Sequence, residues 1–445
     1  MDPQNRQYDL LIVGGGVVGT ALLYTICRYT DLKDVCLIEK YKDLGLVNSA
    51  AWNNSQTLHF GDIETNYTIQ KATSVKQMAD MVKNYLEDEK KRNPDKKIFH
   101  RYSKMVLGVG AFQSEGLRKR FLVFRDLFPD LQLIGKEEIA RIEPKVVEGR
   151  PADQEIAALL TPDGYTVDFR ELCHSFTDNA KALNNKAEVY FNTQLESIKR
   201  DGNSWSVKTN KGIISARIVI VAAGAHSLLI AKSLGYGKNL SLLSMAGSFY
   251  TAEKVLNGKV YTIQVEKLPF AAIHGDPEVH DETITRFGPT AKPIFRLERH
   301  SMKTVGEYWK TFGLGISPVI SLLKIIFDRV LFGYVFLNFL YDLPIIGKRL
   351  FLKEVKKIIP TMKLSDLRVA KGYGGTRPQI VNNTTRKLEM GEAKLTGDNI
   401  VFNITPSPGA STCLGNAYND TRLIMDFLGN RFSFDEAGFL QDLVK

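Results

Sequence analysis

Hydrophobic positions in this chain fall into short continuous runs and longer stripes of helical period, and their order sets the first expectations. Leu10 to Val13 is a continuous apolar run of strand length, Thr20 to Tyr29 carries apolar residues at helical spacing, and Val35 to Ile38 is a second short run. The chain therefore opens on strand, helix, strand. Farther along, the pattern predicts a charged amphipathic helix over Ala72 to Arg92, a strand over Met105 to Gly110, and a helix over Arg118 to Leu127 that stops before Pro129. A short helix from Glu137 ends at Pro144, and Phe169 to Leu183 reads as another helix. Ala187 to Thr193 and Trp205 to Thr209 read as strands, and Arg217 to Gly224 as a buried strand running into glycine. Between Ser241 and Pro293, apolar runs at Gly247 to Thr251, Val260 to Val265, Phe270 to Ile273 and Thr283 to Phe287 alternate as the strands of a second sheet would.

Glycines at the first strand–helix turn change the picture. Gly14, Gly16 and Gly19, with Val17 and Val18 between them, spell G-x-G-x-x-G, and the second strand ends in Glu39 followed by Lys40. Gly14 permits the tight turn, Gly16 lets the backbone approach a pyrophosphate, and Gly19 lets helix and strand pack closely. The helix N-terminus offers unpaired N–H groups to phosphate, and an acid about 20 residues past the last glycine suits a ribose hydroxyl. This much implies a dinucleotide and leaves NAD and FAD both open. Two later features favour FAD. A polar loop, Gly45 to Asn66, follows where another helix and parallel strand would continue a nicotinamide-type domain, although a plain surface loop would read the same. The late strand at Arg217 then implies a discontinuous nucleotide domain.

At 445 residues two lobes are expected. The expected fold is α/β, a discontinuous Rossmann-like FAD-binding domain (residues 1–70, 145–240 and 360–445) with a second α+β substrate lobe (residues 71–144 and 241–359). Four widely spaced cysteines and no paired histidines imply reduced thiols and no metal, and no signal peptide or lipidation motif is visible. The net charge of +10 could reflect nucleic acid, a membrane surface or solubility alone. Between Lys310 and Lys357 eight cations meet three anions in the most apolar stretch of the chain, a combination that excludes a nucleic-acid patch. Its longest uncharged runs, Thr311 to Leu323 and Val330 to Tyr341, are shorter than the ~20 residues a spanning helix needs. Residues 313–359 therefore read as an apolar segment lying on a membrane surface and held by anionic lipid, or as a buried core helix pair. The localisation implied is peripheral, on the cytoplasmic face.

Candidate chemistry lies late in the chain. His274 closes a strand before Gly275, so its imidazole can stand open at a sheet edge, and Arg377 between Gly375 and Pro378 suits a bidentate carboxylate clamp. Gly409, Ala410, Ser411 and Thr412 can open a helix facing an anion. Together with VGGGVVGTAL, NNSQTLHFGDIETNYT from Asn53 to Thr68, IHGDP at His274, RFGPTAKPI at Arg286, GGTRPQI at Gly374 and SPGAST at Ser407, these stretches resemble the malate:quinone oxidoreductases. That family sits in the wider group of FAD oxidoreductases with L-2-hydroxyglutarate and glycerol-3-phosphate dehydrogenases. After His274 this chain reads Gly275, Asp276, Pro277, Glu278 where much of the family carries an L-D-T-R-like run.

The resemblance implies oxidation of a small 2-hydroxy acid, (S)-malate, by FAD, with a membrane quinone as acceptor. It implies His274 as the base oriented by Asp276, Arg377 on the C1 carboxylate, and Gln56, His59 and Arg286 as pocket wall. Asn54, Ser55, Gln56, Thr57, Gly224 and Gly375 join the fingerprint in binding the cofactor. Two alternatives stay open: a related flavoenzyme acting on L-lactate or L-2-hydroxyglutarate, and a membrane-associated binding protein of flavin fold without catalysis.

Overall fold

The computed structural model describes residues 6–264, 272–313, 315–389, 393–405 and 408–445. Three sheets organise it. At the centre of the first, Gln7–Val13 runs parallel to Val35–Ile38 on one side and to Gly212–Val221 on the other. Glu188–Tyr190 and Ile400–Ile404 extend the parallel order at the two ends, and Ala393–Gly397 adds an antiparallel edge. Both faces are covered, which is why these strands are continuous apolar runs. Leu10 and Ile12 pack with helices Val17–Tyr29, Phe169–Leu183 and Cys413–Leu428, while Leu11 and Val13 pack with Ile198, Trp205 and Phe402.

Helix Val17–Tyr29 begins directly after Gly16, three residues earlier than the pattern alone implies. Gly14, at φ +117°, makes the turn possible, and a Cβ there would come within 2.5 Å of the Ala222 carbonyl oxygen. Gly19 is pressed still closer against the Gly14 carbonyl.

The second sheet has eight strands in the order Arg368–Val369, Tyr250–Glu253, Ile284–Gly288, His274–Pro277, Lys259–Thr262, Phe99–Val109, Ile156–Val167, Gln132–Gly135. The third joins Lys292–Pro293, Leu240–Ala246, Thr376–Asn382 and Lys387–Leu388. These pairings move the expected lobe boundaries. Ile156–Val167 hydrogen-bonds along Phe99–Val109, so the chain rejoins the nucleotide lobe with helix Phe169–Leu183 rather than near residue 145. Helix Ile69–Arg92, expected in the substrate lobe, buries Ala79, Val82 and Tyr85 in the nucleotide core. Of the expected strand Gly247 to Thr251, residues 247–249 are a break after Leu240–Ala246, and Tyr250 and Thr251 begin Tyr250–Glu253. Of the expected runs Val260 to Val265 and Phe270 to Ile273, Val265, Phe270 and Ala271 lie outside the described residues, as does Ser407 of SPGAST.

The apolar segment folds as helices Ile316–Ile326, Arg329–Tyr341 and Ile346–Ile358. The first is inside out. Ser321 is buried and Ser317 donates to the Asn383 carbonyl, whereas Ile316 and Phe327 are 81% and 68% exposed. Phe332, Phe336 and Phe339 continue the exposed surface on the next helix. Each helix thus buries one side, Ile325, Leu331 and Val335 in one cluster and Tyr341, Phe351 and Val355 in another, and leaves apolar residues exposed on the other. Among the described residues no single helix is long and apolar enough to cross a membrane.

Candidate active site

A cavity of about 370 Å³ joins the glycine turn to the third sheet. At the turn it is lined by Gly14, Gly16, Val17, Val18, Glu39 and Lys40. The Glu39 carboxylate accepts from Gly15 N at 2.7 Å and Tyr41 N at 2.9 Å, and burial raises its pKa against those bonds. Lys40 pairs with Glu298, and His226 meets Glu307 at 3.0 Å, so residues 298–307 close over this end. Sequence reasoning did not single out Glu298, His226 or Glu307. They come from segments that carry no local motif.

Toward the other end the wall is built from Asn54, Ser55, Thr57, His59, Met245, Ala291, Gly375, Arg377, Gly409, Ala410 and Ser411, with Gly224 between. The loop holding the first four is braced from within. Asn54 Nδ2 donates to the Asn48 and Ala50 carbonyls, and Thr57 Oγ1 lies 2.7 Å from the Tyr261 hydroxyl. His59 is tied on three sides: its N–H donates to Ser411 Oγ at 2.9 Å, Nε2 lies 3.3 Å from Ser55 Oγ, and Nδ1 meets Glu64. Burial pushes the Glu64 carboxyl up, but the bond to His59 together with the charges of His59 and Lys104 outweighs it and brings it down to about 2. A cavity-lining histidine held by a carboxylate at Nδ1 and by the Ser55 hydroxyl at Nε2 has the arrangement of a general base. Glu64 is five residues beyond His59 in the polar loop, and that spacing was the available signal for it.

Arg377 reaches the cavity from strand Thr376–Asn382, opposite Met245 in register. No carboxylate partner is found for it among the described residues, and burial lowers its pKa. Such a guanidinium suits an anionic ligand that arrives from outside.

The structure places His274 elsewhere. It begins strand His274–Pro277 rather than ending one, is 0% exposed, and does not line the cavity. Its ring stacks on Tyr261 at 4.3 Å, and Asp276, Arg286 and Lys259 surround it. Burial pulls the imidazole down to about 4 and the Lys259 ammonium down to about 7. Arg286 is taken up by Asp276 and also reaches the Asn54 carbonyl, so it backs the loop instead of facing ligand. Gln56 is equally internal, donating to Glu278 Oε1 at 2.9 Å and accepting from Val279 N. Thr412 is buried outside the cavity wall, at the N-terminus of helix Cys413–Leu428.

These residues fit FAD. Gly14, Gly15 and Gly19 leave no room for side chains, Glu39 stands at ribose distance along the chain, and Asn53 Oδ1 and Thr376 Oγ1 are buried at the cavity wall without a hydrogen-bond partner among the described residues. Comparisons with known proteins agree. The chain matches the FAD dependent oxidoreductase (DAO) family over residues 9–415. It is 41% identical to a probable malate:quinone oxidoreductase of Campylobacter jejuni, covering 97% of this chain and 98% of that one. With a malate:quinone oxidoreductase of Helicobacter pylori it shares 39% identity over 99% and 98%. Among solved structures, L-alpha-glycerophosphate oxidase from Mycoplasma pneumoniae with FAD bound superposes at a TM-score of 0.66 with 18% identity, covering 94% of this chain and 95% of that one. Glycine oxidase from Geobacillus kaustophilus also gives 0.66, with 17% identity over 98% of both. With a family match across nearly its whole length and relatives near 40% identity, the chain belongs to the FAD dependent oxidoreductases and, among them, to the malate:quinone oxidoreductase family.

Proposed function

We propose that this protein oxidises (S)-malate to oxaloacetate at the Arg377 end of the cavity and delivers the electrons to a membrane quinone. The observation that carries the reading is a cavity-lining guanidinium without a carboxylate partner among the described residues, on a wall shared with a carboxylate-fixed histidine. Bound FAD would supply the acceptor for the hydride of C2. The chain's own groups do the rest. Arg377 holds a carboxylate of the substrate and so fixes C2 relative to His59. His59 Nε2 receives the hydroxyl proton, and Glu64, kept ionised, stabilises the imidazolium that results. His274 is too weak a base for this at about 4 and has no exposed surface; with Asp276 and Arg286 it supports the Asn54 loop from behind.

Docking on the membrane is peripheral. The exposed apolar faces of helices Ile316–Ile326 and Arg329–Tyr341 lie in the headgroup layer, and Arg349, Lys353, Lys356 and Lys357 draw anionic lipid of the cytoplasmic leaflet.

The test is anaerobic mixing of the FAD-loaded protein with (S)-malate, L-lactate and L-2-hydroxyglutarate while flavin absorbance is followed. Malate is expected to bleach the flavin fastest. Bleaching by one of the other acids but not by malate would reassign the substrate, and bleaching by none would remove catalysis.

A further inference from the structure

We infer that the quinone enters from the bilayer beneath helix Arg329–Tyr341 and comes to rest against Met245 and Ala291, in an apolar slot behind the cavity wall. The inference rests on the proposed reaction for its acceptor and on packing for its place.

Strand register fixes the direction. Met245 pairs opposite Arg377, and Ser241 opposite Val381, so Leu243, Met245, Arg377 and Val381 leave the third sheet on one face. The opposite face, with Leu242 and Ile380, packs on Ala225, Leu228 and Tyr308. The Arg377 face is roofed by helices: Ile325, Leu331 and Val335 form one apolar cluster with Leu243, Met245, Ala291 and Val381. Met245 and Ala291 belong to this cluster and to the cavity wall at once.

The roof is thin. Leu331 and Val335 face inward on a helix whose outward residues Phe332 and Phe336 are exposed. One layer of helix therefore separates the membrane-seeking surface from the wall of the redox cavity. A dicarboxylate has no reason to approach through this roof, because Ile325, Leu331 and Val335 present only hydrocarbon. An isoprenoid quinone has, since its tail matches the outer face and its flat ring matches the inner one.

Two polar groups make the slot more than a greasy contact. Asn338, buried on the same helix, accepts from Ala291 N at 2.6 Å and so ties the roof to the cavity wall. Tyr334, one turn before it, is near enough to Arg377 for the guanidinium's charge to act on its hydroxyl. A phenol such as Tyr334 is a donor type that a quinone carbonyl takes, while Asn338 Nδ2 donates to the Tyr334 carbonyl at 2.8 Å and braces the helix. The balance closes without another reagent, because converting a hydroxy acid to a keto acid releases two electrons and two protons, and a quinone becomes a quinol by taking up the same number.

The experiment is photolabelling of the FAD-loaded protein in lipid nanodiscs with an azido-quinone, followed by peptide mapping. Label within residues 325–338, at Met245 or at Ala291, displaced by a short-chain ubiquinone, is expected. Label confined to another surface overturns the slot. In parallel, Val335→Trp should fill it, lowering turnover with short-chain ubiquinone relative to hexacyanoferrate by about tenfold or more. An unchanged ratio in a variant that retains its flavin overturns the proposal as well. If Val335→Trp does not fold, the labelling decides alone. Failure of malate to bleach the flavin would refute the substrate reading but leave the label's position informative.

Discussion

Replacing Arg377 by methionine separates what the buried guanidinium does for the substrate from what it costs the fold. Its remaining exposure is to the cavity, it has no carboxylate partner among the described residues, and burial already lowers its pKa. Two hydrogen bonds to a carboxylate, at ~1.5–3 kcal/mol each, give about 3–6 kcal/mol, which is roughly 10²- to 10⁴-fold in kcat/KM for malate. Methionine fills a similar volume without charge. Replacing buried ionic groups by packed apolar ones is neutral to stabilising by about 1–4 kcal/mol, so the substrate-free, FAD-loaded variant should melt no lower than wild type and by up to a few degrees higher. The two effects have opposite signs, which a general folding defect cannot imitate. Steady-state kinetics with malate, flavin content and thermal melts measure them, and a dicarboxylate such as malonate should raise the wild-type Tm but not that of Arg377→Met. A kcat/KM within tenfold of wild type, or a lower Tm with full flavin content, would refute the assignment.

Four further outcomes follow from the same structure. His59→Ala should lower kcat by ~10²- to 10⁴-fold with flavin retained, as loss of a general base does. Because Glu64 sits at about 2 when folded against an ordinary 4.5, its contribution is complete above 4.5 and is lost as pH falls toward 2; urea midpoints should drop across that range, and less steeply in Glu64→Gln. Lys259 shows the opposite sign. Burial holds it at about 7 against an ordinary 10.5, so the unfolded chain carries the extra proton in that window, and wild type should gain stability with rising pH relative to Lys259→Met. Finally, Phe327, Phe332 and Phe336 are 68%, 46% and 56% exposed. At ~1.5–3 kcal/mol for burying a whole Phe, changing all three to Ser should cost roughly 3–4 kcal/mol of lipid binding, more than 10²-fold in flotation with anionic vesicles. Unchanged flotation would remove the apolar faces from membrane docking.

The glycine turn was legible because its chemistry is local. Gly14 must adopt a positive φ and Gly19 must touch backbone, and no distant residue is needed to say so. The surroundings of His59 were not legible for the converse reason: Ser411, which ties it in place, and Arg377, which shares its wall, are brought to it only by folding. His274 reads as open because a histidine before glycine suggests a strand end, yet it is buried and off the cavity wall. Tyr261, Lys259 and Arg286 seal it, and none of them is marked by spacing. Strand Leu240–Ala246, buried along its whole length, escaped because a short apolar run flanked by serines carries no alternation. The apolar segment's composition was plain, but which side of each helix faces outward was settled only by its neighbours.

The parallel sheet also sets when the protein can become functional during synthesis. Gln7–Val13 leaves the ribosome first, yet its neighbour Gly212–Val221 arrives some two hundred residues later and Ile400–Ile404 later still. Helix Val17–Tyr29 likewise waits for Cys413–Leu428 to cover its apolar side. A nascent chain therefore carries an unfinished, aggregation-prone edge through most of translation and has no complete flavin pocket until Ser411 has emerged. Flavin that binds only the assembled pocket stabilises it by mass action, and so bears on how firmly the last segments of the chain are held.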